Sequence, residues 1–177
     1  MSHQEHRRKG PSRVPCAVVT VSDTRDEARD GSGRLIIRAL ERAGHRVADY
    51  RILRDERRLV ARHLRDLARR GTVRVVLITG GTGIASRDTT YEAVASLLEK
   101  RLDGFGEIFR ALSYEAIGPP AMLSRAVAGT FRGTVLFSLP GSESAVRLAL
   151  RRLILPELGH LAGLLDPPGT AGGRRRG

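Results

Sequence analysis

Continuous apolar runs alternate with amphipathic stretches along most of this chain. The apolar runs predict four strands, at Pro15–Val21 and at residues 45–53, 73–79 and 133–139. Apolar side chains at helical spacing predict helices at residues 31–43, 55–70, 89–100, 103–117, 121–128 and 142–158. Continuous apolar runs are typical of parallel strands that are covered on both faces. We therefore predict an α/β fold, a three-layer, doubly wound, mostly parallel sheet with helices on both faces.

Glycine, proline and acidic residues set the expected helix boundaries. Gly104 and Gly106 are expected to interrupt helix 103–117 near its start. The pair Pro119-Pro120 is expected to break the helical region, which then resumes at residues 121–128. Asp55 is well placed to cap the helix that follows it, since aspartate is a favoured N-cap residue.

The chain is expected to form one domain between two tails. Its 177 residues suffice for a single core, which we assign to residues 14–165. Residues 1–13 are basic and polar, and residues 166–177 are rich in Gly, Pro and Arg. Neither tail has enough apolar surface to bury, so both are expected to be mobile.

Composition narrows the class of protein further. Aromatic residues make up 4% of the chain and Trp is absent, so the core must be aliphatic. The single cysteine, Cys16, has no partner for an internal disulfide and lies in an apolar run, where it is expected to be a small core residue. No apolar run approaches the roughly 20 residues of a membrane span, and residues 1–13 lack the apolar region of a secretory signal. These features indicate a cytoplasmic protein that is not inserted in a membrane.

The net charge of +12 raises nucleic acid as a partner, but its distribution argues against one. The two tails carry +3 and +2, which leaves +7 on the residues between them. Five arginines follow one another around the polar side of helix 55–70, at positions Arg57, Arg58, Arg62, Arg65 and Arg69. No aromatic residues interleave with them, so a stacking platform for single strands is not indicated. A basic surface instead favours small anionic ligands.

A glycine-rich loop, T-G-G-T-G-I-A-S-R-D at residues 79–88, joins a predicted strand to a predicted helix. It is neither a P-loop nor a G-x-G-x-x-G fingerprint. Strand ends of this kind bind phosphates in open α/β sheets, and glycines let the backbone approach a ligand closely. Hydroxyls, a cation and a carboxylate come from Thr79, Thr82, Arg87 and Asp88. The alternative is a plain β–α turn in which Asp88 is the helix N-cap.

Other loops should meet this one at the carboxyl edge of the sheet. They contribute Ser22, the segment Gly31-Ser32-Gly33, Asp55 and the turn Pro140-Gly141-Ser142. Segment 31–33 either binds an anion through its backbone or is simply a capped helix start. If Asp55 and Asp88 converge, the two carboxylates are suited to Mg²⁺ beside a nucleotide phosphate, as in phosphoryl or nucleotidyl transfer.

Two polar groups lie in the helical region between the strands, Ser113-Tyr114 and Ser124-Arg125. A polar pair on an apolar helix needs partners, which are either a ligand or backbone carbonyl groups. The five histidines fall in a tail or away from the loops at the carboxyl edge of the predicted sheet. No spacing of Cys and His residues indicates a zinc site.

Six sequence motifs, which follow one another along the chain, give it a clear resemblance to a known protein family. They are T-V-S-D-T-R, D-G-S-G, V-V-L-I-T-G-G-T-G-I-A-S-R-D, G-F-G-E-I-F-R-A-L-S-Y-E-A-I-G, M-L-S-R-A-V-A-G and F-S-L-P-G-S. From about Val14 to Leu161 the chain resembles the MoaB/MogA family of molybdenum cofactor biosynthesis, and its C-terminal half is more similar to MoaB. The resemblance implies a molybdopterin-binding fold, a homotrimer or homohexamer, and a molybdate-insertion protein as downstream partner.

The resemblance also implies a reaction and its residues. Active relatives transfer AMP from Mg-ATP to the terminal phosphate of molybdopterin and release pyrophosphate. The two functional aspartates fall on Asp55 and Asp88, although Arg54 stands where relatives usually have Pro. The pterin- and phosphate-binding positions fall on Thr79, Gly80, Gly81, Thr82, Gly83, Ser113, Ser124, Pro140, Gly141 and Ser142. The alternative within the family is a catalytically inactive molybdopterin-binding or carrier protein, and some MoaB proteins with altered aspartates are inactive.

Overall fold

A computed structural model describes residues 10–165 and contains one six-stranded mixed sheet. The strands are β1 (Pro15–Val21), β2 (Arg46–Leu53), β3 (Val75–Thr79), β4 (Lys100–Arg101), β5 (Val127–Phe131) and β6 (Thr134–Leu139). Their order across the sheet is β2-β1-β3-β6-β5-β4. The first four in this order are parallel. At the other edge of the sheet, β5 is antiparallel to β6, and β4 is antiparallel to β5. The predicted mostly parallel α/β sheet is confirmed.

Helices cover both faces of the sheet. They are α1 (Gly31–Arg42), α2 (Arg57–Arg70), α3 (Thr90–Ala95), α4 (Asp103–Ile117), α5 (Glu143–Ala149) and α6 (Leu155–Leu164), with a π-helical turn, Leu150–Ile154, that joins α5 to α6. Side chains of a strand alternate between faces, so β1 contributes Cys16 and Val18 to one core and Ala17 and Val19 to the other. The first core packs against α1, α4 and the α5–α6 helix, and the second packs against α2 and α3. This arrangement is the expected three-layer structure.

The region after α4 differs from the sequence prediction. A 3₁₀ helix, Pro119–Leu123, follows Gly118, whose φ of +70° ends α4. The predicted helix at residues 121–128 is wrong, because the 3₁₀ helix ends at Leu123 and β5, which pairs with β6, begins at Val127. The predicted helix at residues 89–100 is also too long, since α3 ends at Ala95 and Lys100 begins β4.

Gly104 and Gly106 do not interrupt α4, which is continuous over its 15 residues. Gly106 instead allows a close approach, because a Cβ at this position would lie 3.0 Å from the carbonyl oxygen of Ala126. The expected interruption is therefore wrong, and the glycine serves packing between α4 and the segment that leads into β5.

The buried thiol of Cys16 occupies the first core, as the sequence predicted. Burial raises its pKa to about 12. Between residues 10 and 165, no helix is long and apolar enough to cross a membrane. The predicted mobility of residues 1–9 and 166–177 concerns segments outside the described residues. Gly10 belongs to the described part and lies against Gly159 and Gly163 of α6.

Candidate functional site

The carboxyl ends of β1, β3 and β6 open onto a cavity of about 520 Å³. Three loops after these strands line it on one side, and α4 with the 3₁₀ helix lines it on the other. Its polar lining includes Ser22, Thr24, Thr82, Ser113, Ser124 and Ser142, and its apolar lining includes Phe109, Ile117, Leu123 and Ala145. This is the edge of an open α/β sheet at which ligands bind.

The glycine-rich loop packs too tightly against its neighbours to tolerate side chains at two positions. Gly80 has a φ of +99°, and a Cβ there would overlap the carbonyl oxygen of Val21. Gly81 has a φ of +62°, and a Cβ there would overlap the side chains of Asp55 and Thr90. The left-handed backbone is itself unfavourable for other residues. These glycines therefore bring the loop after β3 against the loops after β1 and β2.

A smaller cavity of about 160 Å³ adjoins the first one. Its charged lining consists of Asp23, Asp55, Arg87 and Asp88. The two cavities share Val21, Ser22, Thr24 and Gly81, so they meet along the loop after β1 and the glycine-rich loop. The predicted convergence of Asp55 and Asp88 on one site is what the structure shows.

The carboxylate of Asp55 is held from the opposite loop. Its Oδ1 accepts hydrogen bonds from the Thr89 N–H and the Thr89 hydroxyl, both at 3.0 Å, and from the Thr90 hydroxyl at 3.3 Å. The expected N-cap role of Asp55 on α2 is wrong, since Glu56 is the N-cap residue there and no side chain caps that helix. Asp55 instead ties the loop after β2 to the first turn of α3.

Asp88 closes the glycine-rich loop on itself. Its Oδ2 accepts a hydrogen bond from the Ala85 N–H at 3.0 Å, and its own N–H donates to the Ala85 carbonyl at 2.9 Å. The alternative interpretation of Asp88 as the helix N-cap is wrong, because Thr89 is the N-cap residue of α3. Within residues 10–165, no group of three or more His, Cys, Asp or Glu side chains is arranged to hold a metal ion.

Arg125 donates hydrogen bonds to the backbone of the glycine-rich loop. Its guanidinium donates to the carbonyl oxygens of Thr82, Gly83 and Asp88 and pairs with the carboxylate of Glu92. It also lies 4.9 Å from the centre of the Tyr91 ring. The predicted need of this polar residue for partners is met by backbone carbonyls and one carboxylate. Three of its acceptors belong to the loop that carries Asp88, so Arg125 fixes the shape of that loop.

Comparisons with known proteins agree on one family. A family model described as "Probable molybdopterin binding domain" matches residues 17–160. A relative from Halalkalibacterium halodurans, "Molybdenum cofactor biosynthesis protein B", is 51% identical over 162 residues, which are 91% of this chain and 95% of the relative. The chain belongs to the MoaB/MogA family.

Solved structures of MoaB/MogA proteins share the fold. A crystal structure of a "Molybdenum cofactor biosynthesis protein B" is 50% identical, with a TM-score of 0.84, over 87% of this chain and 96% of the other. "Tungsten cofactor synthesizing protein MoaB" from Pyrococcus furiosus is 42% identical, with a TM-score of 0.76, over 85% and 96% of the two chains.

Most positions suggested by the MoaB/MogA resemblance gather in the larger cavity. They are Gly80, Gly81, Thr82, Gly83, Ser113, Ser124, Pro140, Gly141 and Ser142, and Ser22, predicted from the loop after β1, lies there with them. Thr79 is fully buried behind them, and its hydroxyl donates to the Pro140 carbonyl at 2.9 Å. Arg87 lies with the aspartates in the smaller cavity.

The two serines placed on helices by the sequence behave differently. Ser113 lies in α4, and its hydroxyl donates to the Phe109 carbonyl at 2.7 Å, which is the backbone alternative. Ser124 lies after the 3₁₀ helix rather than within a helix. Its buried hydroxyl oxygen has no hydrogen-bond partner in the described part of the chain. This hydroxyl lines the larger cavity and remains available for a hydrogen bond.

The segment Gly31-Ser32-Gly33 is a capped helix start rather than an anion site. Asp30, which is fully buried, is the N-cap residue of α1 and accepts from the Gly33 N–H at 2.9 Å. Ser32 donates to the Gly141 carbonyl at 2.8 Å. Sequence reasoning missed Arg25, which also lines the larger cavity, although it ends the first of the six MoaB/MogA motifs.

Proposed function

We propose that this chain is a molybdopterin adenylyltransferase, which binds molybdopterin in the larger cavity and takes AMP from Mg-ATP. The observation that supports this most is the meeting of a pterin-sized cavity with a small carboxylate-lined one along Ser22 and Gly81. Two ligands bound in the two cavities would have their reacting groups at this shared wall. Proximity of this kind is the main contribution that a protein makes to nucleotidyl transfer.

The reaction breaks one bond and forms one bond at phosphorus. An oxygen of the terminal phosphate of molybdopterin attacks the α-phosphorus of ATP. The bond between that phosphorus and the oxygen bridging to the β-phosphate breaks, and pyrophosphate leaves with the electron pair. The products are adenylyl-molybdopterin and pyrophosphate. The protein's part is to hold both phosphates in line and to neutralise their charge.

The residues of the smaller cavity fit Mg²⁺ bound together with a nucleotide. Mg²⁺ commonly takes one or two protein carboxylates and completes its shell with phosphate oxygens and water. Asp55 and Asp88 line the cavity and would supply these carboxylates. The ion would neutralise the triphosphate and the leaving pyrophosphate. Arg87, on the same wall, would pair with a phosphate oxygen.

The experiment follows pyrophosphate and adenylylated pterin after purified protein is mixed with molybdopterin, ATP and Mg²⁺. We expect wild-type protein to form both products. Asp88→Asn should lower turnover by at least 100-fold, because the isosteric amide can still accept from Ala85 but has lost the negative charge for the metal. Molybdopterin binding, measured without ATP, should remain within about threefold of wild type, since the pterin would lie in the other cavity.

Asp66→Asn is the matched control, because Asp66 lies on α2 and pairs with Arg69 outside both cavities. It should leave turnover unchanged. Near-wild-type turnover of Asp88→Asn would show that this aspartate has no role in the reaction.

A second candidate function is a carrier that binds molybdopterin without chemistry. The observation that favours it is the engagement of Asp55 Oδ1 by three donors, which leaves less of that carboxylate for a metal. The same assay separates the two functions. Pterin binding without any pyrophosphate from wild-type protein would establish the carrier.

We further propose that the chain assembles as a homotrimer or homohexamer and passes its product to a molybdate-insertion protein. Several large apolar side chains on and after α4 are exposed outside the two cavities, namely Ile108, Tyr114 and Met122. Exposed apolar residues concentrated on one segment are typical of a surface that contacts another protein. Light scattering of the purified protein gives the number of subunits, and a monomer at micromolar concentration would contradict the assembly.

A further inference from the structure

Arg25 is the one charged side chain that lines the larger cavity among the described residues. Its neighbours there are glycines, hydroxyl-bearing side chains, prolines and apolar groups. The ligand proposed for this cavity carries a phosphate, whose hydrogen bonds the glycine-rich loop and the hydroxyls can supply but whose negative charge only a cation neutralises. The cavity therefore has one residue with which to neutralise such a group.

The guanidinium of Arg25 has one hydrogen-bond acceptor and one carboxylate beside it. One Nη donates to the Gly141 carbonyl at 3.3 Å, and the second Nη lies 3.9 Å from the Asp30 carboxylate. About a third of the side chain is exposed. An arginine has five N–H donors, and within residues 10–165 only these two acceptors face it. Several donors are thus left for a ligand in the cavity.

Three hydrogen bonds fix the carboxylate of Asp30, which can therefore orient Arg25. The fully buried carboxylate accepts from the Thr20 hydroxyl at 2.5 Å, the Tyr50 hydroxyl at 2.6 Å and the Gly33 N–H at 2.9 Å. These donors come from β1, β2 and α1. A carboxylate with this many rigid partners gives the arginine beside it a defined position. A hydrogen bond within the loop after β1 also stabilises that loop, since Ser22 Oγ accepts from the Arg25 N–H at 3.1 Å.

We propose that Arg25 binds the terminal phosphate of molybdopterin and that Asp30 is its positioning residue. This inference rests on the proposed ligand, but not on the proposed chemistry. The loop that carries Arg25 also supplies Ser22 and Thr24 to both cavities. A phosphate on Arg25 therefore lies beside the wall across which AMP would be transferred. The aspartates of the smaller cavity would repel the same phosphate, so Arg25 also gives the pterin its orientation.

The test measures molybdopterin binding without ATP, by titration calorimetry, for wild type, Arg25→Gln, Arg25→Lys and Arg29→Gln. Arg29 is the matched control, because it lies on the same loop, is 77% exposed and pairs with Asp26. We expect Arg25→Gln to weaken binding by about 10- to 100-fold, the usual effect of losing a charged hydrogen-bonding partner. Arg25→Lys keeps the charge but not the planar fork, so its loss should be intermediate. Arg29→Gln should bind as wild type does.

Inorganic phosphate provides a second readout that folding alone would not change. Phosphate should compete with molybdopterin in wild type and in Arg29→Gln, and it should compete far less in Arg25→Gln. Asp30→Asn should also weaken binding, and the double variant with Arg25→Gln should show no further loss, because the two changes disrupt the same contact. Additive losses would show that Asp30 acts independently of Arg25.

The outcomes separate this inference from the proposed reaction. Binding of the ligand by Arg25→Gln with wild-type affinity and wild-type phosphate competition overturns the role of Arg25, whatever the turnover. Loss of binding in Arg25→Gln, with no pyrophosphate from wild-type protein, supports Arg25 while it removes the adenylyltransferase. A wild-type chain that does not bind molybdopterin overturns both.

Discussion

At the scale of single residues, Gly81 is a tightly constrained position that contacts a proposed catalytic aspartate. Its φ of +62° and its contact with Asp55 and Thr90 leave no room for a methyl group. Gly81→Ala should therefore lower the free energy of unfolding by about 2 kcal/mol or more, and it should lower adenylylation at least tenfold by displacing Asp55. Chemical denaturation and the pyrophosphate assay measure the two effects.

Gly44→Ala is the control for this change. Gly44 also has a positive φ, +85°, but no atom lies within 4 Å of where its Cβ would be. Gly44→Ala should lower the free energy of unfolding by about 1 kcal/mol through backbone strain, and it should keep full activity. Equal activity of the two variants would contradict the positioning of Asp55 through Gly81.

The identity of the site residues was predictable where a local pattern carries them. Gly80, Gly81 and Asp88 stand out because a strand, a glycine-rich turn and a helix follow one another in the sequence. The partners of Asp55 were not predictable, since Thr89 and Thr90 are more than 30 residues away and meet it only through the fold. A carboxylate just before a helix is usually its cap, and here a tertiary contact outcompetes that local role.

At the scale of elements, the glycine-rich loop depends on a side chain from the segment before β5. Arg125→Lys should remove most of the bonds to Thr82, Gly83 and Asp88, because an ammonium group lacks the fork that reaches several acceptors. Amide hydrogen exchange in residues 79–88 should become at least tenfold faster. Arg101→Lys, which removes bonds to Asp103 and Tyr91, should leave that loop unchanged.

Arg125 also affects the pKa of Glu92, with which it forms an ion pair. Burial alone would raise the pKa of Glu92, but its hydrogen bond and charge pairing with Arg125 outweigh this and hold the pKa below its ordinary value. Loss of the fork in Arg125→Lys should move that pKa upward, which carboxyl NMR can follow. Unchanged exchange and an unchanged Glu92 pKa would show that the loop keeps its shape without Arg125.

Helices and strands with a regular pattern of apolar residues were predictable from the sequence. Those that form only because another strand pairs with them were not. The run Pro15–Val21 and the stripe of α2 are long and regular, so their types and ends agree closely with the sequence prediction. β5 has only five residues, V-A-G-T-F, and includes a glycine, which weakens its strand pattern. It is a strand because β6 pairs with it through a tight turn at Arg132 and Gly133, both with positive φ.

At the scale of the whole molecule, two partly buried histidines make stability depend on pH. Burial lowers the pKa of His63 below 6.5, although Asp49, 3.5 Å away, acts in the opposite direction. Burial also lowers the pKa of His45. The unfolded chain therefore binds more protons than the folded one as the pH falls through about 6.5, and the free energy of unfolding should fall with it.

Denaturation in urea at pH 7.5 and pH 5.5 measures this loss. His63→Gln should reduce it, and the double variant with His45→Gln should reduce it further. A loss of stability that is identical in wild type and both variants would show that other groups are responsible.

The overall architecture was predictable because four apolar strands and their helices leave few alternatives for an α/β chain. What the sequence did not reveal is the division of the site into two adjoining cavities. That division arises from side chains on four separate loops and α4, and no local pattern encodes their relative positions.

The burial of Cys16 has a practical consequence for handling this protein. Cys16 is the chain's single cysteine, and a buried thiol with a raised pKa has almost no thiolate to react. We therefore expect the folded chain to react only slowly with thiol reagents. One cysteine introduced at an exposed position of the loop after β1, as in Arg29→Cys, would take a fluorescent maleimide at a single site.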